Sequence, residues 1–421
     1  MSWTVWAAVV VVCVTVWALI KRYETRLVLL VSGLVMALLS LDPMMAFKQF
    51  DKSMTNGSLI IAICSAMGFA AVISVTKCDA HLVRLLTQPL KRMGIFLLPA
   101  CMAVTSVIAT AIPSMAGLCA SVGPTIIPIM VRAGFRPATA AAAVGACLMP
   151  AYFNPGVSHN PFIAKLAGID VMTFIGNHGM MPLGLTIAAI VLMTVICMIY
   201  GDYRKEGFGE LKSEAAAELP ERANVLYAVA PLVPVVLLVC TSLWLPQMKI
   251  SVATAMLVGM IYALAITRSN PQDTIKKFFD GMGKGYANII GIIIIAAGVF
   301  AAGLRAAGVI DLFVEFLKNS NEVAKIGGSV GPFILGVLTG SGDAAAFAFN
   351  EAVTPHAPSF GMTIDSLGYL AMMSAGLGRM ASPLAGGIIV LSGIAMVSPV
   401  ELIKRTAPAA VIMLIGLYFL T

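Results

Sequence analysis

Apolar runs of about the length needed to cross a bilayer succeed one another along this chain, separated by short polar gaps. They cover 3–20, 25–42, 57–76 and 179–200 in the first half and 223–243, 249–267, 285–303 and 405–420 in the second. Crossing ~30 Å of hydrocarbon takes roughly 20 helical residues, so each run predicts one transmembrane helix. The longest polar stretch, 202–222, carries Asp202, Glu206, Glu210, Glu214, Glu218 and Glu221. It predicts a cytoplasmic linker between a first half, 1–201, and a second, 223–421. Within those halves the helices of 1–76 and 223–303 are expected to form a scaffold, and the amphipathic segments 78–92 and 308–320 to lie along the membrane surface as interfacial arms.

The halves share their punctuation. Asp42-Pro43 falls on Asn270-Pro271 and Gly57 on Gly285, while Ser114, Pro128 and Gly134 are spaced as Ser341, Pro355 and Gly361 are. Segments 94–133 and 324–361 are the first elements that need a decision. In the second, the apolar arm Ile326–Leu338 is too short to cross, and its returning arm carries Asp343, Asn350 and Glu351. Both segments are therefore expected as re-entrant hairpins, with tips at Pro113-Ser114-Met115 and Gly340-Ser341-Gly342-Asp343; a pair of ordinary spans has the same parity. After each hairpin comes an apolar segment broken in its middle, 137–170 at 152–161 and 363–397 at 376–383. A helix interrupted inside the membrane exposes N–H groups that suit a carboxylate and C=O groups that suit a cation. The fold class expected is an all-α polytopic membrane protein of two inverted repeats, with about ten transmembrane helices, two re-entrant hairpins and two discontinuous helices.

Composition agrees and narrows the field. Of 421 residues 59% are hydrophobic and only 11% charged, against roughly 25% charged in soluble domains. The net charge of +7 sits in short loops, where it reads as membrane orientation rather than as a nucleic-acid surface. Most of the 27 Lys and Arg fall on one face if both termini lie outside, and an odd number of crossings per half then inverts the second repeat. The eight cysteines stand singly with no CxxC pair, which suits packing rather than disulfides or zinc. The run Trp3–Leu19 lacks a basic leader and a cleavage site and is expected as a retained helix. No Walker, HExxH or GxSxG motif is present, which speaks against an ATP-driven pump and against an enzyme.

Several motifs resemble those of the anaerobic four-carbon-dicarboxylate carriers of the DcuC type. They are Gly-Met-Gly-Lys-Gly-Tyr-Ala-Asn (281–288), Ala-Ala-Gly-Val-Phe-Ala-Ala-Gly-Leu (296–304), the Gly-Ser-Gly-Asp tip, Leu-Gly-Arg-Met-Ala-Ser-Pro (377–383) and Ser-Pro-Val-Glu-Leu-Ile-Lys-Arg-Thr (398–406). The resemblance spans nearly the whole chain and implies the ion-transporter superfamily architecture, a homodimer with a scaffold and a moving transport part in the bacterial inner membrane. It also implies movement of succinate, fumarate or related dicarboxylates, by exchange or with a cation. The family pattern has Asn where this chain has Asp343, and Asn just before Leu-Gly-Arg where this chain has Gly376. The motif Asn154-Pro155-Gly156-Val157-Ser158-His159 matches the family's first break only loosely.

Ionisable side chains at membrane depth are costly and mark sites or pathways. Arg379 is the leading candidate, since a guanidinium can hold a carboxylate by two parallel hydrogen bonds; a structural ion pair with Asp343 is the alternative. Asp343 is expected as a Na⁺ ligand with Ser341, or as a proton carrier. Ser114, Asn154, Ser341 and Ser382 are candidate donors to substrate, or local caps. Ser158 and the backbone at Gly156, Gly342 and Gly378 complete the substrate-binding set. Glu351 and His159 are candidate proton-exchanging groups, Glu351 being equally placed to be solvated at the hairpin base. Expected partners are a small dicarboxylate, the lipid bilayer and a second copy, with no nucleic acid and no cofactor beyond Na⁺ or H⁺ as coupling ion. The rival reading is a cation/proton antiporter of the same superfamily.

Overall fold

The computed structural model of the chain describes all residues except 1–2, 22, 55–56, 88–93, 113, 205–219, 245–247, 249, 288–294 and 311–320. Among the described residues the regular elements are helices, with one isolated bridge between Phe135 and Tyr203. The first half runs α1 (Trp3–Ile20), α2 (Thr25–Leu39), α3 (Pro43–Met54), α4 (Gly57–Val75), α5 (Cys78–Thr87), α6 (Leu97–Ala111), α7 (Met115–Arg132), α8 (Pro137–Gly145), α9 (His159–Ala167), α10 (Val171–His178) and α11 (Met180–Ile199). The second runs α12 (Val225–Val229), α13 (Val233–Trp244), α14 (Val252–Thr267), α15 (Pro271–Gly285) and α16 (Ala296–Ala306). It continues with α17 (Asn321–Thr339), α18 (Gly342–Ala352), α19 (Ile364–Met380), α20 (Gly386–Ala395) and α21 (Pro399–Leu420).

The outside of this helical assembly is apolar. Along α11, Leu183, Ile187, Val191, Val195 and Met198 are exposed while Leu185, Ala189, Met193 and Ile196 are buried. Trp3, Trp6, Val10, Val14 and Trp17 are exposed on α1, and Val411, Ile412, Ile415 and Phe419 on α21. Stripes of large apolar side chains facing outward are unusual in water and ordinary in lipid. Met115–Arg132, Met180–Ile199 and Pro399–Leu420 are by length and composition able to cross a membrane, as is the pair Ile63–Val75 and Cys78–Leu86 if its 73° bend belongs to one span. This is a multi-pass membrane protein.

Two helices were not read from the pattern of apolar runs. α3 and α15 are amphipathic and fill the gaps after 25–42 and 249–267. Each begins with Pro at its first position, and in α15 the Asn270 side chain accepts from the Gln272 N–H; these are start signals that outweigh the polar face. The two pack crosswise, α3 of the first half on α16 of the second and α15 on α4. Glycines let backbones meet where α16 also crosses α2 and where α15 crosses α4. A Cβ on Gly303 of α16 would lie 2.4 Å from the Gly33 carbonyl oxygen of α2, and one on Gly281 of α15 would lie 2.6 Å from that of Met67 in α4. Small residues at such crossings are how membrane helices approach closely.

The polar stretch after α11 opens later than expected. Asp202 is fully buried, the Arg136 N–H donates to its carbonyl at 2.9 Å, and the Arg204 N–H donates to the Gly134 carbonyl at 2.8 Å. Residues 202–204 thus belong to the first half, and the rest of the expected linker is largely outside the described residues. So are the middle of the expected span 285–303, the end of the arm 78–92, and most of the arm 308–320.

Candidate functional site

The two interruptions in the second half are built by local chemistry. Between α17 and α18 the chain turns at Gly340, with φ +70°, and a Cβ there would lie 2.6 Å from the Leu384 backbone; only glycine accepts both demands. The Ser341 hydroxyl then accepts from the Ala344 N–H at 3.2 Å and starts α18. This puts Asp343 in the first turn of α18, opposite the last turn of α19, where Arg379 sits. Arg379 Nη1 donates to Asp343 Oδ1 at 3.2 Å.

The first half supplies a third member. His159 opens α9, and its Nε2 lies 2.9 Å from the same Asp343 Oδ1. The imidazole is 2% exposed and stacks on Phe347 of α18 with ring centroids 4.4 Å apart. The break that presents His159 is held by amides. Asn154 Nδ2 donates to the Thr110 carbonyl of α6 at 2.8 Å, and its Oδ1 accepts from the Gly156 N–H at 2.8 Å. Asn160 Nδ2 donates to the carbonyls of Tyr152 and Asn154. Between α6 and α7, the Ser114 hydroxyl accepts from the Gly117 N–H at 3.3 Å.

These groups surround one cavity of about 530 Å³. Of the predicted residues, Ser114, Asn154, Gly156, Ser158, His159, Ser341, Asp343 and Arg379 line it. The cavity extends past α4 to Asp79 at the start of α5. Its other walls are mostly small and apolar.

Four predicted residues lie away from this space. Ser382 is fully buried, donates to the Val337 carbonyl at 2.6 Å and accepts from the Leu384 N–H, so its hydroxyl fastens the α19–α20 break to α17. Gly378 and Gly342 sit where backbones touch: a Cβ on the first would meet the Phe333 oxygen at 2.2 Å, and on the second the Ala375 oxygen at 2.8 Å. Glu351 lies at the far end of α18. Gln49 Nε2 of α3 donates to its Oε1 at 3.0 Å, and Arg305 of α16 donates to its carbonyl at 3.1 Å. It ties the end of α18 to α3 and α16 rather than lining the cavity.

The Ser341 hydroxyl accepts from the Ala344 N–H at the start of α18, and the carboxylate of Asp343 faces the Arg379 guanidinium, whose charge opposes an added cation. Among the described residues no cluster of three or more His, Cys, Asp or Glu is arranged to hold a metal. The same geometry suits an anion. Arg379 is largely enclosed, its Nε has no hydrogen-bond partner among the described residues, and one of its amino groups is used by Asp343. Tyr152, Asn160 and Phe347 were not anticipated from the sequence. The Asn160 signal was its place beside His159 in a break rich in Asn and Pro; Tyr152 and Phe347 look like ordinary apolar fillers until the fold brings them to the ion pair.

Comparison with known proteins decides the family. The profile described as the C4-dicarboxylate anaerobic carrier, DcuC, matches residues 35–421. The chain belongs to this family. This carrier is 27% identical to the anaerobic C4-dicarboxylate transporter DcuC of Escherichia coli K12 over 423 aligned positions, covering 92% of this chain and 90% of that one. It is 43% identical over 270 residues to an uncharacterized transporter of Haemophilus influenzae, covering 62% of this chain and 96% of the relative. Among solved structures, that of the Alcanivorax borkumensis YdaH transporter, described as having an unusual topology, superposes with a TM-score of 0.64 at 14% identity. That match covers 89% of this chain and 86% of the other, a likeness of fold. The resemblance read from the motifs at 281–406 therefore stands. The family is one of carriers, so the chain is a membrane transporter and not an enzyme.

Proposed function

We propose that this carrier is a secondary active transporter of four-carbon dicarboxylates such as succinate or fumarate in the bacterial inner membrane. The single observation that carries the reading is the cavity. It joins the breaks between α6 and α7, α8 and α9, and α17 and α18 with the Arg379 end of α19, so equivalent interruptions of both halves meet around one largely enclosed guanidinium. The N-termini of α7 and α18 point donors toward the same space, a good environment for carboxylates.

The supports for inverted repeats and re-entrant hairpins are the crosswise packing of α3, α4, α15 and α16 and the sorting of polar clusters by face. Arg136, Asp202 and Arg405 meet on one side, with Arg405 Nε donating to Asp202 Oδ2 at 2.7 Å. His178 pairs with Asp365 at 3.2 Å, and Arg305 lies 4.0 Å from Glu351; the charge-based topology puts both of these pairs on the opposite, outer side. That topology has both termini outside. Alternating access by an elevator-type slide of the hairpins and broken helices against a dimeric scaffold fits this arrangement.

Coupling is by exchange of dicarboxylates or by a proton taken up on the His159–Asp343 pair. The rival reading, a cation/proton antiporter, is disfavoured because the Arg379 charge lies 3.2 Å from the Asp343 carboxylate that would have to hold the cation. The deciding experiment uses purified protein in liposomes loaded with succinate, with labelled succinate outside and with Na⁺ and pH varied. Saturable uptake that needs internal dicarboxylate or a proton gradient supports the reading. Cation flux without any carboxylate uptake would overturn it in favour of the antiporter.

A further inference from the structure

Tyr152 occupies a place in the cavity that nothing in the motif reading assigned. It lines the cavity together with Ser114, Asn154 and His159. Its side chain is 6% exposed, yet its hydroxyl has no protein partner among the described residues and is not sealed in. A buried phenol normally finds a hydrogen-bond partner, so a hydroxyl left free at a cavity wall calls for a ligand or water there.

Position 376 fixes where that hydroxyl is. A Cβ built on Gly376 would lie 2.6 Å from Tyr152 Oη, while the nearest ring atoms, Cζ and Cε2, are at 3.5 and 3.6 Å. Only the hydroxyl oxygen excludes a side chain; the ring would be in ordinary contact. Position 376 is three residues before Arg379 in α19, so the two share a helix face. A helical side chain leans toward the N-terminus of its helix, which carries the guanidinium toward 376. The hydroxyl is also close enough for the charges of Arg379 and Asp343 to act on it.

Resting on the transport reading above, we infer that Tyr152 is a substrate-binding residue whose hydroxyl donates to the same carboxylate that Arg379 holds. The glycine at 376 is the space that lets it do so. The pair forms a two-point anion site, one donor charged and fixed on α19, the other neutral and delivered from the break before α9.

The test uses wild type, Tyr152→Phe, Gly376→Ala and the double variant in proteoliposomes, with labelled succinate uptake and thermal unfolding of each. A hydrogen bond to a charged group is worth roughly a 10- to 100-fold change in affinity. Tyr152→Phe is expected to raise KM by about that factor with Vmax and melting temperature little changed. Gly376→Ala alone should lose uptake because it displaces the hydroxyl, and adding Tyr152→Phe should restore it to the level of the single Phe variant. Unchanged KM in Tyr152→Phe, with wild type active, would overturn the assignment while leaving the carrier reading intact. A lower melting temperature and lower Vmax at constant KM would also overturn it, in favour of a packing role. Wild type that transports no four-carbon dicarboxylate would overturn the carrier reading and this inference with it.

Discussion

Arg379 is the residue on which the proposed chemistry turns, and its surroundings set the expected cost of changing it. Lysine keeps the charge but offers a point donor in place of a planar fork. Arg379→Lys should therefore reduce succinate uptake at least tenfold in a stably folded variant, a loss of the order of one charge-assisted hydrogen bond; near-normal uptake would remove Arg379 from the substrate site. Asp343 plays a different part. It accepts from both Arg379 and His159, so Asp343→Asn keeps the shape but removes the charge that balances the guanidinium. Uptake in that variant is expected to change its pH dependence and its response to a proton gradient more than its choice of substrate, which parallel uptake curves at several pH values would check. An unchanged pH response would exclude Asp343 and His159 from coupling. These three residues were legible in the sequence because a charge or imidazole stands out against so apolar a background. Tyr152 and Asn160 were not, since their roles depend on which wall of a broken helix each lines, and periodicity carries no such information once the helix stops.

At the scale of elements, the sequence announces helices by run length and conceals those that lie half in a polar environment. The long spans were legible, and so were both breaks, because Gly, Pro, Asn and Ser cluster where the helices stop. α3 and α15 escaped because their polar faces interrupt the apolar runs, although Asp42-Pro43 and Asn270-Pro271 mark their starts. The start of the linker was placed too early for a related reason. Asp202 looks like the first residue of an acidic linker, yet it is fully buried against Thr139 and Arg405, with Thr139 Oγ1 donating to Asp202 Oδ2 at 2.5 Å. Arg405 itself is 2% exposed. Removing one partner of such a pair strands the other charge, at a cost of ~3–5 kcal/mol. Asp202→Ala should lower the unfolding transition in detergent markedly, and adding Arg405→Met should recover much of the loss. If Asp202→Ala melts like wild type, the cluster is not holding the starts of α8 and α21 to the end of α11.

For the whole molecule, the sequence shows punctuation shared between its halves, whereas the contacts between halves were not legible, because they join residues hundreds of positions apart. Gln49 and Glu351 are such a contact, Nε2 to Oε1 at 3.0 Å, linking α3 to the end of α18. This contact bears directly on the mechanism. If transport slides the hairpins and broken helices past the scaffold, α18 must leave α3 during each cycle, and the Gln49–Glu351 contact must break and re-form. A disulfide between Gln49→Cys and Glu351→Cys, in a background whose native cysteines are replaced, should then stop succinate uptake under oxidation and release it on reduction. Each single cysteine variant should stay active under both conditions. Full uptake by the cross-linked double variant would mean that α3 and α18 move as one body, and the sliding surface would have to be sought elsewhere, between α4 and the wall of the cavity formed by α9.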